Sequence, residues 1–265
     1  MKKGEDFDRP IAVFDSGVGG ISVLRELVRI MPNENYIYFG DSQNAPYGTK
    51  TLEEVRKLTR NHAMELFDRG AKGLVVACNT ATSAAVRVLR EEFREIPIVG
   101  IEPAVKPAAT FMENPRVLVM ATPMTIREEK LKKLIAEYAD LGEIIPLPCP
   151  GLMNFVERGD LDGEDLMRYL NELLFEYQKN PVDAVVLGCT HYPFVRNAIA
   201  KVLGEKVKIF DGGEGTAREM KRRLKEAGLL TAQETSGTVI FDNSLEGSEK
   251  EEKMELCETL FHLPE

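Results

Sequence analysis

Apolar residues come along this chain in two rhythms. Short runs rich in Val, Ile, Leu and aromatic side chains fall at 11–14, 36–39, 74–77, 96–99, 117–120, 143–147, 184–187 and 207–210. Runs of this length, bounded by turn residues, read as strands. Between most of them the apolar positions repeat at helical spacing. Leu24, Leu27, Val28 and Met31, for example, fall at i, i+3, i+4 and i+7, on one face of a helix. Strand, helix, strand in succession requires crossover connections, so the expected class is α/β with mostly parallel sheets. Sheets of this kind bind ligands beyond the carboxyl ends of their strands, in the loops that lead into helices. The residues that follow each strand are therefore where chemistry is expected.

Those residues form a pattern. After the run at 11–14 comes Asp15-Ser16-Gly17-Val18-Gly19-Gly20, and after 74–77 comes Cys78-Asn79-Thr80. After 117–120 come Thr122 and Thr125, and after 184–187 comes Gly188-Cys189-Thr190-His191. Cys78 and Cys189 lie 111 positions apart, and Asp15 and Thr122 lie 107 apart. The runs VVACNT and VVLGCTH thus read as one element used twice. The pattern reads as a weak internal duplication, although the same spacing could arise by chance in any repeating α/β chain; the expectation is two similar α/β domains related by pseudo-symmetry, with the active site in the cleft between them. No low-complexity linker separates the halves. Crossings near 100–103 and 210–213 make the first domain discontinuous, 1–99 plus 209–265, with the second at 100–208. Near the end, 248–261 reads as a helix with Met254, Cys257 and Phe261 beside Leu256 and Leu260, and the charged stretch 243–252 reads as a solvated loop.

Composition narrows the function. The 265 residues are 43% apolar and 29% charged, an ordinary soluble balance and enough chain for one large or two small domains. The net charge of -9 repels phosphate backbones and argues against nucleic acid as a partner. No apolar run approaches the roughly 18 residues of a membrane span. The opening MKKGEDFDRP lacks the apolar stretch of a signal peptide, so the expected location is the cytoplasm. Cys78, Cys149, Cys189 and Cys257 form neither a CxxC pair nor a zinc-type cluster, so no metal is expected and the thiols should be free.

The strand-end residues suggest specific chemistry. The loop 15–20 follows a strand and precedes a helix, so its backbone N–H groups suit an anion such as a carboxylate. The same glycines also suit a plain tight turn. The spacing is neither a dinucleotide fingerprint nor a P-loop. A cysteine where a strand gives way to a helix is placed to favour thiolate, by about 0.3–1 kcal/mol from the helix terminus. A thiol titrating near the working pH suits proton transfer. Cys149, between prolines, and Cys257, on the terminal helix, read as ordinary buried cysteines. His191, two residues past Cys189, reads as a group that tunes that thiol. Asp15 reads as an orienting carboxylate. Glu157 has a solvated helix end as its default.

Taken in order, DSGVGGISVL, DSQNAPYGTKT, VVACNTATSAA, GIEPAVKPA, LPCPGLMNFVERG and VVLGCTHYPF closely resemble the glutamate racemases, within the cofactor-independent aspartate/glutamate racemase group. The resemblance runs from about residue 11 to about 212. It implies a two-base mechanism without cofactor, in which Cys78 acts on D-glutamate and Cys189 on L-glutamate. It further implies that Asp15 and His191 assist proton transfer, with Glu157 in support. Ser16, Tyr47, Gly48, Asn79, Thr80 and Thr190 match substrate-binding positions, with Thr122, Thr125, Asp15 and His191 joining them. Ser42 departs from the threonine more common there. The role implied is supply of D-glutamate for the bacterial cell wall, by a homodimer. On the same framework, aspartate or hydantoin racemization or a maleate-isomerase-like reaction are alternatives. A non-catalytic amino-acid binding protein is the alternative from another class, disfavoured by the two thiols. Some relatives inhibit DNA gyrase or need a wall precursor as activator. About ten residues precede the first strand here, and no such dependence is expected.

Overall fold

The computed structural model describes residues 7–264. The chain folds into two compact units, one of 1–101 with 213–265 and the other of 102–212. The expected boundary at 208/209 would cut a strand, Lys208–Asp211, that pairs inside the second unit, so the chain passes back after Gly212.

The first unit is built on five parallel strands: β1 (Ile11–Asp15), β2 (Tyr36–Gly40), β3 (Gly73–Val76), β4 (Ile98–Gly100) and β9 (Val239–Asn243), in the order β4-β3-β1-β2-β9. β1 to β3 are buried along their whole length, as strands covered on both faces must be, and they read in sequence as continuous apolar runs for that reason. Helix α1 (Ile21–Ile30) buries Ile21, Val23, Leu24 and Leu27, with Met31 buried just beyond its end. Helix α2 (Leu52–Asp68) opens with a capping box: Glu54 N donates to Thr51 Oγ1 at 3.2 Å and Thr51 N donates to Glu54 Oε2 at 2.8 Å. Helix α3 (Asn79–Glu92) follows β3 directly, and α2 and α3 pack on each other.

The second unit is built on four parallel strands: β5 (Arg116–Ala121), β6 (Glu143–Pro148), β7 (Ala184–Leu187) and β8 (Lys208–Asp211), in the order β6-β5-β7-β8. Its core joins Val117, Val119, Ala184 and Val186 to Val105 and Leu131. The strand order matches β2-β1-β3-β4 of the first sheet step for step. The repeated motif of the sequence is thus a repeated topology, and β9 is an extra strand on one edge.

β9 corrects the expectation for 243–252. Asn243 ends a strand and is 3% exposed, and the helix Gly247–Phe261 starts earlier than the charge pattern suggested. That helix buries Cys257 and Leu260, and its Phe261 ring meets Phe241 of β9 at 5.6 Å. Packing against β9 fixes a segment whose own composition favours solvent.

Candidate active site

In the first unit the candidate site residues gather at the carboxyl ends of β1, β2 and β3. Asp15 closes β1, fully buried, and its Oδ1 accepts a hydrogen bond from Gly17 N at 3.0 Å. That bond turns the chain into the glycine loop. The loop needs its glycine at position 20, because a Cβ there would lie 2.7 Å from Asp15 Cβ and 3.0 Å from Ala77 Cβ. Cys78 follows β3 on the neighbouring strand and caps α3: its sulfur accepts from Ala81 N at 3.5 Å. Cys78 Sγ lies 3.6 Å from Ser16 Oγ, so the thiol and the glycine loop meet. Asn79 and Thr80 form the first turn of α3 and are 7% and 4% exposed. Neither the oxygen nor the nitrogen of the Asn79 side-chain amide has a hydrogen-bond partner among the described residues. A buried amide left unmatched costs about 1–3 kcal/mol.

Beyond β2 the chain makes two short turns, Ser42–Asn44 and Tyr47–Thr49. Tyr47 is 1% exposed and its hydroxyl donates to Asp41 Oδ2 at 2.6 Å. The phenol is therefore committed to the protein, and Gly48 follows in the same turn. Sequence reasoning missed Asp41 and His62. Asp41 is fully buried; Asn44 Nδ2 donates to its Oδ1 at 2.9 Å, and His62 Nε2 sits 3.2 Å from its Oδ2. Burial would raise the Asp41 carboxyl, but hydrogen bonds from His62, Tyr47, Asn44 and Ser244 outweigh it and hold the group at about 2. Burial pulls His62 down, and its bonds to Asp41 and Glu65 more than reverse that. His62 stacks on Phe14 and lies tilted against Phe39, with centroids 5.7 and 4.8 Å away. The signal available was Asp41 itself, a carboxylate directly after a strand.

In the second unit the ends of β5 and β7 carry the corresponding groups. Thr122 caps the short helix Pro123–Arg127: Thr125 N donates to its Oγ1 at 3.3 Å, and the two hydroxyls lie 3.0 Å apart. Gly188 lets β7 approach β5, since a Cβ there would lie 2.9 Å from Met120 O. Cys189, Thr190 and His191 follow, 8%, 4% and 1% exposed. His191 Nδ1 is 3.6 Å from Cys189 Sγ and 3.5 Å from Thr190 Oγ1. Its Nε2 is 2.7 Å from Glu157 Oε1, at the end of the helix Leu152–Glu157. Glu157 is therefore no solvated helix end but the outer member of a Cys189–His191–Glu157 chain. Burial disfavours the His191 imidazolium, yet the bonds to Cys189 and Glu157 outweigh it and raise its proton affinity well above the ordinary value.

The two cysteines differ in one respect the sequence concealed. Cys78 caps a fourteen-residue helix, as expected, whereas β7 leads from Cys189 through a turn into the 3₁₀ segment Tyr192–Val195. A helix terminus serves Cys78; an imidazole serves Cys189. All four cysteines are buried thiols outside any disulfide. Burial pushes the Cys149 thiol far up, consistent with its reading as an inert core residue. Among the described residues no group of three or more His, Cys, Asp or Glu is placed to hold a metal, and no helix is long and apolar enough to cross a membrane.

The model of the Asp/Glu/Hydantoin racemase family matches residues 11–220. A glutamate racemase of Clostridium perfringens is 53% identical over 237 residues, 89% of this chain and 91% of that one. One of Clostridium botulinum is 51% identical over 243 residues, 92% and 94% of the two chains. Among solved structures, Escherichia coli glutamate racemase in complex with L-glutamate and the activator UDP-MurNAc-Ala superposes with a TM-score of 0.85 at 31% identity, covering 95% of each chain. Glutamate racemase of Francisella tularensis in complex with D-glutamate gives 0.80 at 29% identity, covering 97% of this chain and 94% of that one. With both cysteine motifs inside the matched span, the chain belongs to the Asp/Glu/Hydantoin racemase family.

Proposed function

We propose that the chain interconverts L- and D-glutamate by moving a proton at Cα between two thiols, and so supplies D-glutamate for peptidoglycan. The observation that carries the reading is the pair of strand-end cysteines on corresponding strands of two sheets of the same order, each with its own partner for handling a proton. The high identity to glutamate racemases supports glutamate as the substrate.

With L-glutamate bound, the Cys189 thiolate takes the α-proton and the C–H electron pair stays on the substrate as a planar carbanion. The Cys78 thiol then gives its proton to the opposite face. With D-glutamate the roles reverse. After each turnover the thiol and thiolate have exchanged places. His191, held cationic by Glu157, steadies the thiolate form of Cys189. Asp15, in the loop beside Cys78, assists on the other side.

Enzymes typically lower a barrier by about 8–23 kcal/mol, more than two thiols supply. Charge develops at the α-carboxylate as the proton leaves, and donors placed there in advance contribute most. Ser16, Asn79, Thr80, Thr122, Thr125, Thr190 and the backbone of Tyr47 and Gly48 are the donors for the two carboxylates. Hydroxyl and amide donors suit a site that accepts both mirror images, because they can turn.

The test uses purified protein, added glutamate and no cofactor, followed by optical rotation. Cys78→Ala and Cys189→Ala should each reduce racemization by at least about 10³-fold while glutamate still binds by calorimetry. Cys149→Ser should racemize at close to the normal rate. Near-normal turnover in either of the first two variants would remove the two-thiol mechanism. Faster turnover of aspartate or a hydantoin than of glutamate would reassign the substrate.

A further inference from the structure

The turn that carries Tyr47 and Gly48 is held in place by residues two hundred positions further along. β9 runs parallel to β2, and its last register pair sets Asn243 beside Gly40. Asn243 Nδ2 donates to Ser42 Oγ at 2.8 Å, Gln43 N donates to Ser244 Oγ at 2.9 Å, and Ser244 N donates to Gly40 O at 3.0 Å. Asn243 is itself buried and fixed, its Oδ1 accepting from Leu245 N at 3.0 Å. Behind it, Asp242 is gripped by Arg69 at the end of α2 and by Lys250 of the terminal helix, each at 2.7 Å. The fit is close: a Cβ on Gly40 would lie 2.5 Å from Gly17 O and 3.0 Å from Asn243 Nδ2. The end of β2 is thus wedged between the glycine loop and Asn243.

We infer that the Asn243–Ser244 end of β9 is a positioning element for glutamate binding, setting the Tyr47–Gly48 turn through Ser42 and Gln43 without touching substrate. Its functional readout rests on the glutamate racemization proposed above. It also gives Ser42, the departure noted in the sequence, a part to play: its hydroxyl accepts from Asn243 and anchors the turn.

The experiment compares the full-length protein with Ser42→Ala, Asn243→Ala, Ser244→Ala and the Ser42→Ala/Asn243→Ala double variant. Two quantities are read: kcat and KM for glutamate, and hydrogen exchange of the backbone amides in 41–50. Loss of one hydrogen bond should raise KM about three- to tenfold with kcat within about twofold. Since Ser42 and Asn243 are two ends of one bond, the double variant should be no worse than the poorer single one. Exchange in 41–50 should quicken in every variant while that of β1 stays unchanged. Unchanged exchange in 41–50, or effects of Ser42→Ala and Asn243→Ala that simply multiply, would overturn the inference. Ser42→Ala and Ser244→Ala decide it if Asn243→Ala does not fold. If the wild type racemizes no glutamate, the functional reading fails and the exchange data alone judge the positioning.

Discussion

Buried Asp41 and part-buried His62 form an ion pair one step behind the Tyr47 turn, and the direction of each shift defines when it stabilises the fold. The Asp41 carboxyl titrates at about 2 in the folded chain against an ordinary 3.8, so its contribution is complete above about 3.8 and is lost as pH falls through about 2. His62 is raised above 6.5, so its contribution is complete below that value and is lost as pH rises through the folded value. Both are fully present between about pH 4 and 6. Asp41→Asn should cost about 2 kcal/mol at pH 5, measured by urea unfolding, and the gap to wild type should close between pH 4 and 2. A gap that stays constant down to pH 2 would show that the carboxylate charge does not hold the turn. At this scale the sequence was most readable where a residue follows a strand, as for Asp15, Cys78, Thr122 and Cys189. It was least readable where a group acts through partners from other elements. Nothing in the sequence around Asp41 indicates that His62 of α2 and Ser244 beyond β9 converge on it.

The two thiols are supported by different elements: a helix N-terminus for Cys78 and the His191–Glu157 pair for Cys189. A helix terminus is fixed by backbone, whereas the pair is lost with one side chain. Weakening it should therefore burden only the step that uses Cys189. The two enantiomers have equal free energy, so kcat/KM must stay equal in both directions whatever the substitution. The asymmetry appears in isotope effects instead. In Glu157→Gln, the deuterium effect on kcat/KM should rise for L-glutamate labelled at Cα and fall for the labelled D-enantiomer, with kcat down about 10- to 100-fold. Equal changes for both would place Glu157 outside the Cys189 step. Elements were legible to the extent that they were long or fully buried. The run VIF at 239–241 was a strand signal of the ordinary kind, but it is short, sits before a charged stretch, and has one flank exposed, with Ile240 at 53%. It becomes a strand because β2 offers it an edge.

For the whole molecule, the repeated motif predicted two similar α/β units, and the sheets β2-β1-β3-β4 and β6-β5-β7-β8 have that common order. The discontinuity of the first unit was also visible in outline, since the chain returns near 210–213 to add the helix Gly213–Glu226, β9 and the terminal helix. The exact return point was not visible, because β8 is a half-exposed edge strand whose end is set by pairing with β7. Each unit brings one thiol and its donors, and the proposed reaction needs both. The most direct measurement is turnover of L-glutamate in deuterium oxide without added cofactor, with the Cα proton signal and optical rotation followed together. Two thiols acting on opposite faces predict that early D-glutamate carries deuterium at Cα while the remaining L-glutamate keeps its proton. D-glutamate that retains the original hydrogen, or deuterium entering the L-enantiomer first with no loss of rotation, would contradict that account.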